Sequence, residues 1–251
     1  MTFQMWSLFH FAFILLPFVS LIVFMYFTKN KTYEQKRKLG IIVSLIGVLL
    51  LVLRNAEIFA NEGWSAELLP LQICHFANFV LLFAFLKDNK PMFALAFALN
   101  LPAAFASIVF ANGLENYATL ICLRGIAYIL GHALIVFLTL WAWLSGFVVI
   151  NKGILSKTIL IMLILYISAV VVNNLLVLTG ITPNYFYTLR PENGTPLEIF
   201  FKWGTTVKIG FLEFNPVYLF LSAIFGFIVV VIFYGLYLLH KYLVERKEYQ
   251  K

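Results

Sequence analysis

The chain has 251 residues, of which 63% are hydrophobic and only 12% are charged. A water-soluble domain of this length cannot bury so large an apolar surface, so the composition excludes a soluble fold. The formal net charge of +7 is spread over short segments between apolar runs. Because no basic soluble domain exists to carry that charge, nucleic acid is excluded as a partner.

Seven long apolar runs follow one another along the chain. Runs of about 20 apolar residues match a hydrocarbon core about 30 Å thick. Continuous runs favour helices over the alternating strands of a membrane barrel, and lipid tolerates no other spanning structure. The sequence therefore predicts one all-α membrane domain over 1–251, a seven-helix transmembrane bundle. Its spans are predicted near 6–27, 40–59, 70–86, 91–110, 124–148, 156–178 and 216–240.

Several spans carry local signals. The first is expected to stay in the mature protein, because no basic segment precedes it and no small-residue cleavage site ends it. The third is the shortest and opens at Pro70, a residue type favoured in the first turn of a helix. The fourth contains Asn100 and Pro102, which predict a kink. The two cysteines, Cys74 and Cys122, make no disulfide framework, and a bridge requires their helix ends to touch.

The loops alternate in charge, and this predicts an orientation. Lys and Arg collect on the cytoplasmic side of membrane proteins. The alternation therefore predicts an N-terminus outside, a C-terminus in the cytoplasm and a multi-pass protein of the cell membrane, with basic side chains near anionic membrane lipid. The acidic loops carry Glu62, Glu67 and Glu115. The basic segments carry Lys29, Lys31, Lys36, Arg37, Lys38, Lys87, Lys90, Lys152, Lys157, Lys241, Arg246, Lys247 and Lys251.

One connection, 179–215, is much longer than the others. It contains several turn signals built from Pro, Asn and Gly, and between them an apolar piece over 197–203 that suits the membrane interface. A loop of this length is more often functional than idle. We expect it to cover the outer mouth of the bundle.

Polar residues inside the spans are few, and each is unfavourable unless it faces the protein interior or a wet cavity. Successive spans cross the membrane in opposite directions, and each helical residue advances 1.5 Å along the axis. The depth of each polar residue can therefore be estimated, and the polar groups of four spans lie at similar depth in the outer half of the membrane. That coincidence predicts one outward-opening cavity. Its candidate residues are Arg54 and Glu57 in span two, Cys74 and Asn78 in span three, Arg124, Tyr128 and His132 in span five, and Asn173 and Asn174 in span six.

Helical spacing refines this set. Cys74 and Asn78 are four residues apart and share a helix face, as do Tyr128 and His132. His75 points about 100° away from Cys74 and need not join the site.

The chemistry that these residues allow is nucleophilic. A cysteine is a strong nucleophile as a thiolate, and a neighbouring histidine can take its proton. The start of a helix near Cys74 favours the anion. Arg54 and Arg124 are candidates for holding a phosphate headgroup or stabilising an oxyanion.

Structural interpretations remain open beside the functional one. A single Cys or His in a membrane helix commonly has a packing role. Arg54 and Glu57, three residues apart, suit an ion pair, and Asn173 and Asn174 suit hydrogen bonding between helices. No metal site is predicted, because the four histidines lie on different helices or opposite sides. No nucleotide motif occurs, so no cofactor is expected.

Three segments resemble one known family. Residues 67–74, Glu-Leu-Leu-Pro-Leu-Gln-Ile-Cys, resemble the ELLPLHLC signature of the TMEM164/YwaF family of integral membrane proteins. The segment 131–134 resembles that family's SHG-like turn, and 184–191 resembles its NYM…KP element. The sequence departs from the family pattern at Gln72, where the family commonly has His, and at Gly131, where Ser is expected.

The resemblance implies seven helices and a membrane-embedded lipid acyltransferase or transacylase. The family's Cys and His correspond to Cys74 and His132, which would move an acyl chain from a phospholipid through an acyl-thioester to a lysolipid. Asn78 and Tyr128 would orient groups in the cavity. A lipid hydrolase is the nearest variant.

Two other classes of function stay open. The main alternative is a non-enzymatic seven-helix binder, sensor or transporter of a small amphiphile. A transporter requires polar residues to continue through the bundle to the cytoplasmic side, whereas the inner halves of the spans are almost purely apolar. A structural or assembly partner is the third class, for which the sequence offers no specific feature.

Overall fold

The computed structural model of the chain describes residues 3–111, 114, 119–192 and 194–249, with only the backbone of 247–249. Glu115 and Lys251, which contributed to the predicted charge pattern, lie outside these ranges, as does the side chain of Lys247. Within the described residues the elements in chain order are α1 Leu8–Thr28, α2 Tyr33–Glu62, α3 Ile73–Lys87, α4 Lys90–Leu95, α5 Leu101–Phe110, α6 Leu123–Leu144, α7 Lys152–Val177, α8 Leu197–Lys202, β1 Val207–Ile209, β2 Leu212–Phe214 and α9 Pro216–Tyr249.

Seven helical segments of the described chain are long and apolar enough to cross a membrane. This confirms the predicted seven-helix bundle and makes the chain a multi-pass membrane protein. Six of the crossings rest on α1, α2, α3, α6, α7 and α9, and the fourth joins α4 to α5. Polar side chains define several helix starts. Ser7 and Asn151 each accept a hydrogen bond from a backbone amide of the first turn, and Thr32 forms a reciprocal capping box with Gln35.

The fourth crossing is interrupted where the sequence predicts a kink. A π-helical turn, Ala96–Asn100, separates α4 from α5, and Pro102 lies at the start of α5. Proline lacks the amide hydrogen that a continuous helix would need there. The Asn100 side chain donates a hydrogen bond to the Ile73 carbonyl, at 3.3 Å, and so ties the kink to the start of α3.

The third crossing begins later than expected. A 3₁₀ turn, Ala66–Leu68, leads into a tight turn in which the Leu71 amide donates to the Leu69 carbonyl at 2.8 Å. Gln72 is the N-cap, and α3 starts at Ile73. The expectation that Pro70 lies in the first helical turn is therefore wrong, because the proline belongs to the turn before the helix. Cys74 consequently lies in the first turn of α3.

The two ends of the bundle differ. We call the end with residues 63–72, 119–122 and 178–215 the loop end, and the end with residues 29–32, 88–89 and 145–151 the lysine end. Near the lysine end, aromatic rings pack around Phe85. Its ring centroid lies 4.8 Å from Phe93, 5.2 Å from Phe147 and 6.0 Å from Trp141. All four residues are fully buried, so they close this half of the bundle.

The long connection lies over the loop end. It contains a 3₁₀ turn, Tyr185–Tyr187, then α8 and the antiparallel β1–β2 hairpin. The Tyr185 hydroxyl donates to the Ala66 carbonyl at 2.6 Å, and the Tyr218 hydroxyl of α9 donates to the Tyr187 carbonyl at 2.6 Å. These bonds attach the connection to two separate parts of the bundle.

Candidate functional site

A cavity of about 470 Å³ opens within the loop end of the bundle. Its walls come from α2, α3, α5 and α6, and part of the long connection roofs it. Much of the wall is apolar, as at Leu50, Ala106 and Ile135, while Cys74 and His132 lie among the polar groups. The cavity thus combines room for a hydrocarbon chain with a small set of reactive side chains.

Cys74 and His132 meet in this cavity. Both side chains line it, and the thiol and the imidazole are close enough to interact electrostatically. The Cys74 sulfur also lies 3.8 Å from the Ser107 hydroxyl of α5. Both cysteines of the chain are free, so the thiol is available for chemistry. The geometry brings together the pair that the depth argument selected, while its catalytic role remains a prediction.

The His132 ring is oriented by its own helix. Its Nδ1 lies 2.7 Å from the Tyr128 carbonyl oxygen. A carbonyl oxygen only accepts hydrogen bonds, so Nδ1 carries the proton in that contact. In the neutral ring Nε2 is then unprotonated and is the nitrogen left for the thiol. A histidine held in one tautomer by a fixed acceptor is the usual arrangement for a general base.

Tyr128 supports this arrangement from two directions. Its ring centroid lies 4.3 Å from that of His132. Its hydroxyl donates to the Ser107 carbonyl at 2.9 Å, which links α6 to α5 across the cavity. Tyr128 is thus placed as an orienting residue beside the imidazole.

Asn78 lies one turn below Cys74 on α3 and lines the same cavity. Its side-chain nitrogen donates to the Cys74 carbonyl at 3.2 Å. Its oxygen packs against Gly47 of α2, where any β-carbon would collide with it. The glycine therefore permits a close approach of α2 and α3 beside the reactive pair.

The two arginines of the predicted site have acidic partners. Arg54 pairs with Glu67 in the turn before α3. Arg124 contacts Glu62 and Glu67, each at 2.8 Å. Glu67 thus bridges both guanidinium groups at the mouth of the cavity. Arg54 lines the cavity, and its expected contact with a phosphate has to compete with that carboxylate.

Glu57 takes part in a different contact from the expected ion pair with Arg54. Its two carboxylate oxygens accept hydrogen bonds from the backbone amides of Leu123, at 3.2 Å, and Arg124, at 2.6 Å. The carboxylate therefore caps the N-terminus of α6, where free amides and the helix dipole favour a negative charge. Glu57 is outside the cavity lining, and its observed role is to fix the start of the helix that carries His132.

The paired asparagines of α7 hold the long connection. Asn173 donates to the Tyr185 carbonyl at 2.9 Å and accepts from the Tyr185 amide at 3.0 Å. The Asn174 oxygen accepts from the Glu213 amide at 2.7 Å. Neither side chain lines the cavity, so the geometry agrees with a structural role for both. Asn173 acts on the site through the segment that it anchors.

That segment supplies the roof. Tyr187, Glu192 and Leu197 line the cavity. Phe186 and Tyr187 both have left-handed backbones, with φ of 53° and 54°, a conformation rare for residues other than glycine. Burial and the neighbouring Glu192 carboxylate raise the pKa of Tyr187 to about 12, so its phenol is neutral and able to donate at physiological pH. Sequence reasoning expected a cover here without identifying these residues.

A second, more polar chamber of about 500 Å³ adjoins the cavity at the same end. The two share Glu67, Gln72, Tyr187 and Glu192. Arg190 lines the outer chamber only. A molecule with an apolar tail and a polar head could therefore occupy both spaces at once.

His75 is a cavity residue that sequence reasoning missed. The expected rotation of about 100° from Cys74 does not take it out of the cavity. One signal could have found it: His75 and Asn78 are three residues apart and share a helix face. The interior side of α3 therefore includes Cys74, His75 and Asn78.

These features define a multi-pass membrane protein with a thiol–imidazole pair inside a cavity that a long loop covers. A protein-family model described as the TMEM164 family matches residues 3–237. The chain therefore belongs to the TMEM164 family. Comparison with curated proteins and with solved structures gave no significant match.

Proposed function

We propose that this protein is a membrane-embedded lipid acyltransferase that uses Cys74 as nucleophile and His132 as general base. The observation that carries the proposal is that the Cys74 thiol and the His132 imidazole line the same largely apolar cavity, within electrostatic reach of each other. The Tyr128 carbonyl supplies the third part of the arrangement by orienting the imidazole. The resemblance of 67–74 to the family signature supports the same pair.

In the first half-reaction His132 takes the proton of the Cys74 thiol, and the thiolate attacks an ester carbonyl of a phospholipid. A carbon–sulfur bond forms and the ester carbon–oxygen bond breaks. The proton passes from His132 to the departing oxygen, which leaves as the hydroxyl of a lysolipid. The acyl chain stays on Cys74 as a thioester, with its tail along the apolar wall.

In the second half-reaction the hydroxyl of an acceptor lysolipid attacks the thioester carbonyl. Its proton goes to His132, a new ester bond forms and the carbon–sulfur bond breaks. The thiolate then recovers the proton from His132. Attack by water in place of the alcohol would make the same protein a lipid hydrolase, and an apolar, roofed cavity favours transfer because it limits water.

The predicted orientation indicates which leaflet of the membrane supplies the substrates. With the N-terminus outside, the cavity opens to the external leaflet, and its substrates are lipids of that leaflet. Near the lysine end, Phe85, Trp141 and Phe147 fill the bundle beneath the cavity. A closed lower half suits a reaction chamber better than a transport path.

The direct test is the acyl-enzyme itself. Purified protein in lipid nanodiscs is incubated with a phospholipid that carries an isotope-labelled acyl chain, and the Cys74 peptide is searched by mass spectrometry for a hydroxylamine-sensitive label. We expect the label in the wild type and its loss in Cys74→Ser and His132→Ala. Cys122→Ser is the matched control and should keep it, because Cys122 lies outside the cavity lining. Acyl transfer that survives Cys74→Ser would contradict the proposal.

A further inference from the structure

His75 provides the cavity with a second imidazole. It lies next to Cys74 in the first turn of α3 and lines the cavity. Arg54 and His132 both act on it electrostatically. His75 is thus within the electrostatic reach of the proposed general base, yet the mechanism derived above does not use it.

The Nδ1 atom of the His75 ring is shielded and has no hydrogen-bond partner within the described part of the chain. The other histidine in the cavity, His132, has the Tyr128 carbonyl as a hydrogen-bond partner. A shielded polar atom without a partner is unfavourable by about 1–3 kcal/mol, so a ligand in the cavity that lets the ring turn and pair this nitrogen would be favoured.

The chemistry of the ring restricts that ligand. In a neutral imidazole, Nδ1 is a donor in one tautomer and an acceptor in the other. The ester oxygens of an acyl donor only accept, so they pair with Nδ1 in one tautomer only. A hydroxyl both donates and accepts, so it pairs with Nδ1 in either tautomer. In an acyl transfer the substrate that carries a free hydroxyl is the acceptor.

We propose that His75 is a positioning residue that binds the hydroxyl of the acyl acceptor and holds it toward the thioester on Cys74. This inference rests on the proposed acyltransferase function and adds to it a residue for the second half-reaction. His75 orients the hydroxyl oxygen, His132 accepts its proton, and Cys74 leaves as the thiolate. By favouring an alcohol at this position, His75 also sets the ratio of acyl transfer to hydrolysis.

The experiment separates the two half-reactions. Formation of the Cys74 thioester from a phospholipid is measured without acceptor, and its discharge is then measured on addition of a lysophospholipid, with released fatty acid counted as hydrolysis. Two variants are compared, His75→Phe, which removes the polar atoms, and His75→Gln, which keeps a donor and an acceptor. His240→Phe is the matched control, because His240 lies on α9 outside the cavity lining.

In His75→Phe we expect thioester formation within about 2-fold of the wild type and discharge to the lysophospholipid slowed by about 10-fold or more, as for the loss of one buried hydrogen bond. The share of fatty acid should rise. His75→Gln should recover part of the transfer, and His240→Phe should match the wild type.

Three results would overturn the inference. Unchanged transfer in His75→Phe would show that the ring does not hold the acceptor. If both half-reactions slow equally in both variants, His75 supports the Cys74 side chain or the fold and does not position the acceptor. Absence of a thioester in the wild type would defeat the proposed function itself, and the inference with it, before any His75 variant is made.

Discussion

The two ends of this bundle are built from the same helices, yet they differ in how closely those helices approach. Near the lysine end Gly40 of α2 lies against the Phe85 ring, and any β-carbon there would collide with it. Near the loop end Gly131 of α6 borders the cavity, and a β-carbon there meets nothing within 4 Å. One glycine permits contact and the other leaves space.

The packed half near the lysine end stabilises the fold, whereas the open half near the loop end holds the reactive side chains. In the packed half the Trp141 indole donates to the Thr28 hydroxyl at 3.0 Å, so a polar group there is used to fix the packing of α1 on α6. Among the described residues, both halves contain shielded polar atoms without a partner: His75 Nδ1 and the Asn78 oxygen in the open half, and the Thr139 hydroxyl and the Trp143 indole nitrogen in the packed half. Only the first two belong to residues that line the cavity. Unsatisfied polar groups in natural proteins often lie at functional positions, so the unpaired atoms at the cavity are the ones that point to chemistry.

The largest expected effect comes from filling the open half. In Gly131→Leu the new side chain enters the cavity beside His132, where the space next to the backbone is free. We expect the fold to survive and acyl transfer to fall by about 100-fold, the scale for displacement of a reacting group by about 1 Å. Transfer assays in nanodiscs and the unfolding temperature in detergent give the two readouts. Full activity in the variant would show that substrates do not use this space.

The next effect tests the packed half with a smaller change. Gly40→Ala forces a methyl group against the Phe85 ring, which Phe93, Trp141 and Phe147 hold in place. Overpacking of this kind destabilises by about 1–3 kcal/mol. Gly131→Ala is the matched control, because it adds the same methyl group to free space and gains helix propensity of up to about 1 kcal/mol. Equal stability of the two variants would remove the contrast between the halves.

A buried hydrogen bond provides the third test. Thr28→Val leaves the Trp141 indole without its acceptor, and we expect a loss of about 1 kcal/mol of unfolding free energy. Thr139→Val is the control, since the Thr139 hydroxyl is buried and has no partner among the described residues. Removing it should be neutral or stabilising. Denaturation in mixed detergent measures both variants, and a larger loss in Thr139→Val would contradict the assignment.

The sequence predicts the fold better than the contacts of its polar groups, and the reason is physical. Length and apolarity are local properties, so they identify all seven crossings. The depth of a residue in the membrane depends only on its distance from the end of its span and on the direction of that span. This is enough to predict that Cys74 and His132 share one cavity. The partner of Arg54 depends on where the turn before α3 folds back, and no spacing within α2 reports that position. Rotation about the α3 axis, measured from Cys74 alone, does not predict that His75 lines the cavity.

The smallest expected effect lies at the boundary of the open half, where Glu57 caps α6. Glu57→Gln keeps an acceptor for one backbone amide but removes the charge that the helix N-terminus favours, so we expect a loss of about 0.3–1 kcal/mol. Salt should shrink this loss, because a half-exposed charge near a helix end is screened. Unfolding temperatures at low and high ionic strength measure it.

Glu34→Gln is the matched control for that charge. Glu34 pairs with Arg37 at the lysine end, three residues away on the same helix, in a largely exposed contact. Glu34→Gln should lower the free energy of unfolding by less than Glu57→Gln does, since an exposed ion pair contributes little. If both variants lose the same free energy with the same salt dependence, the Glu57 carboxylate is an ordinary surface charge. If only Glu57→Gln is affected, the start of α6, and with it the depth of His132, depends on a carboxylate from α2.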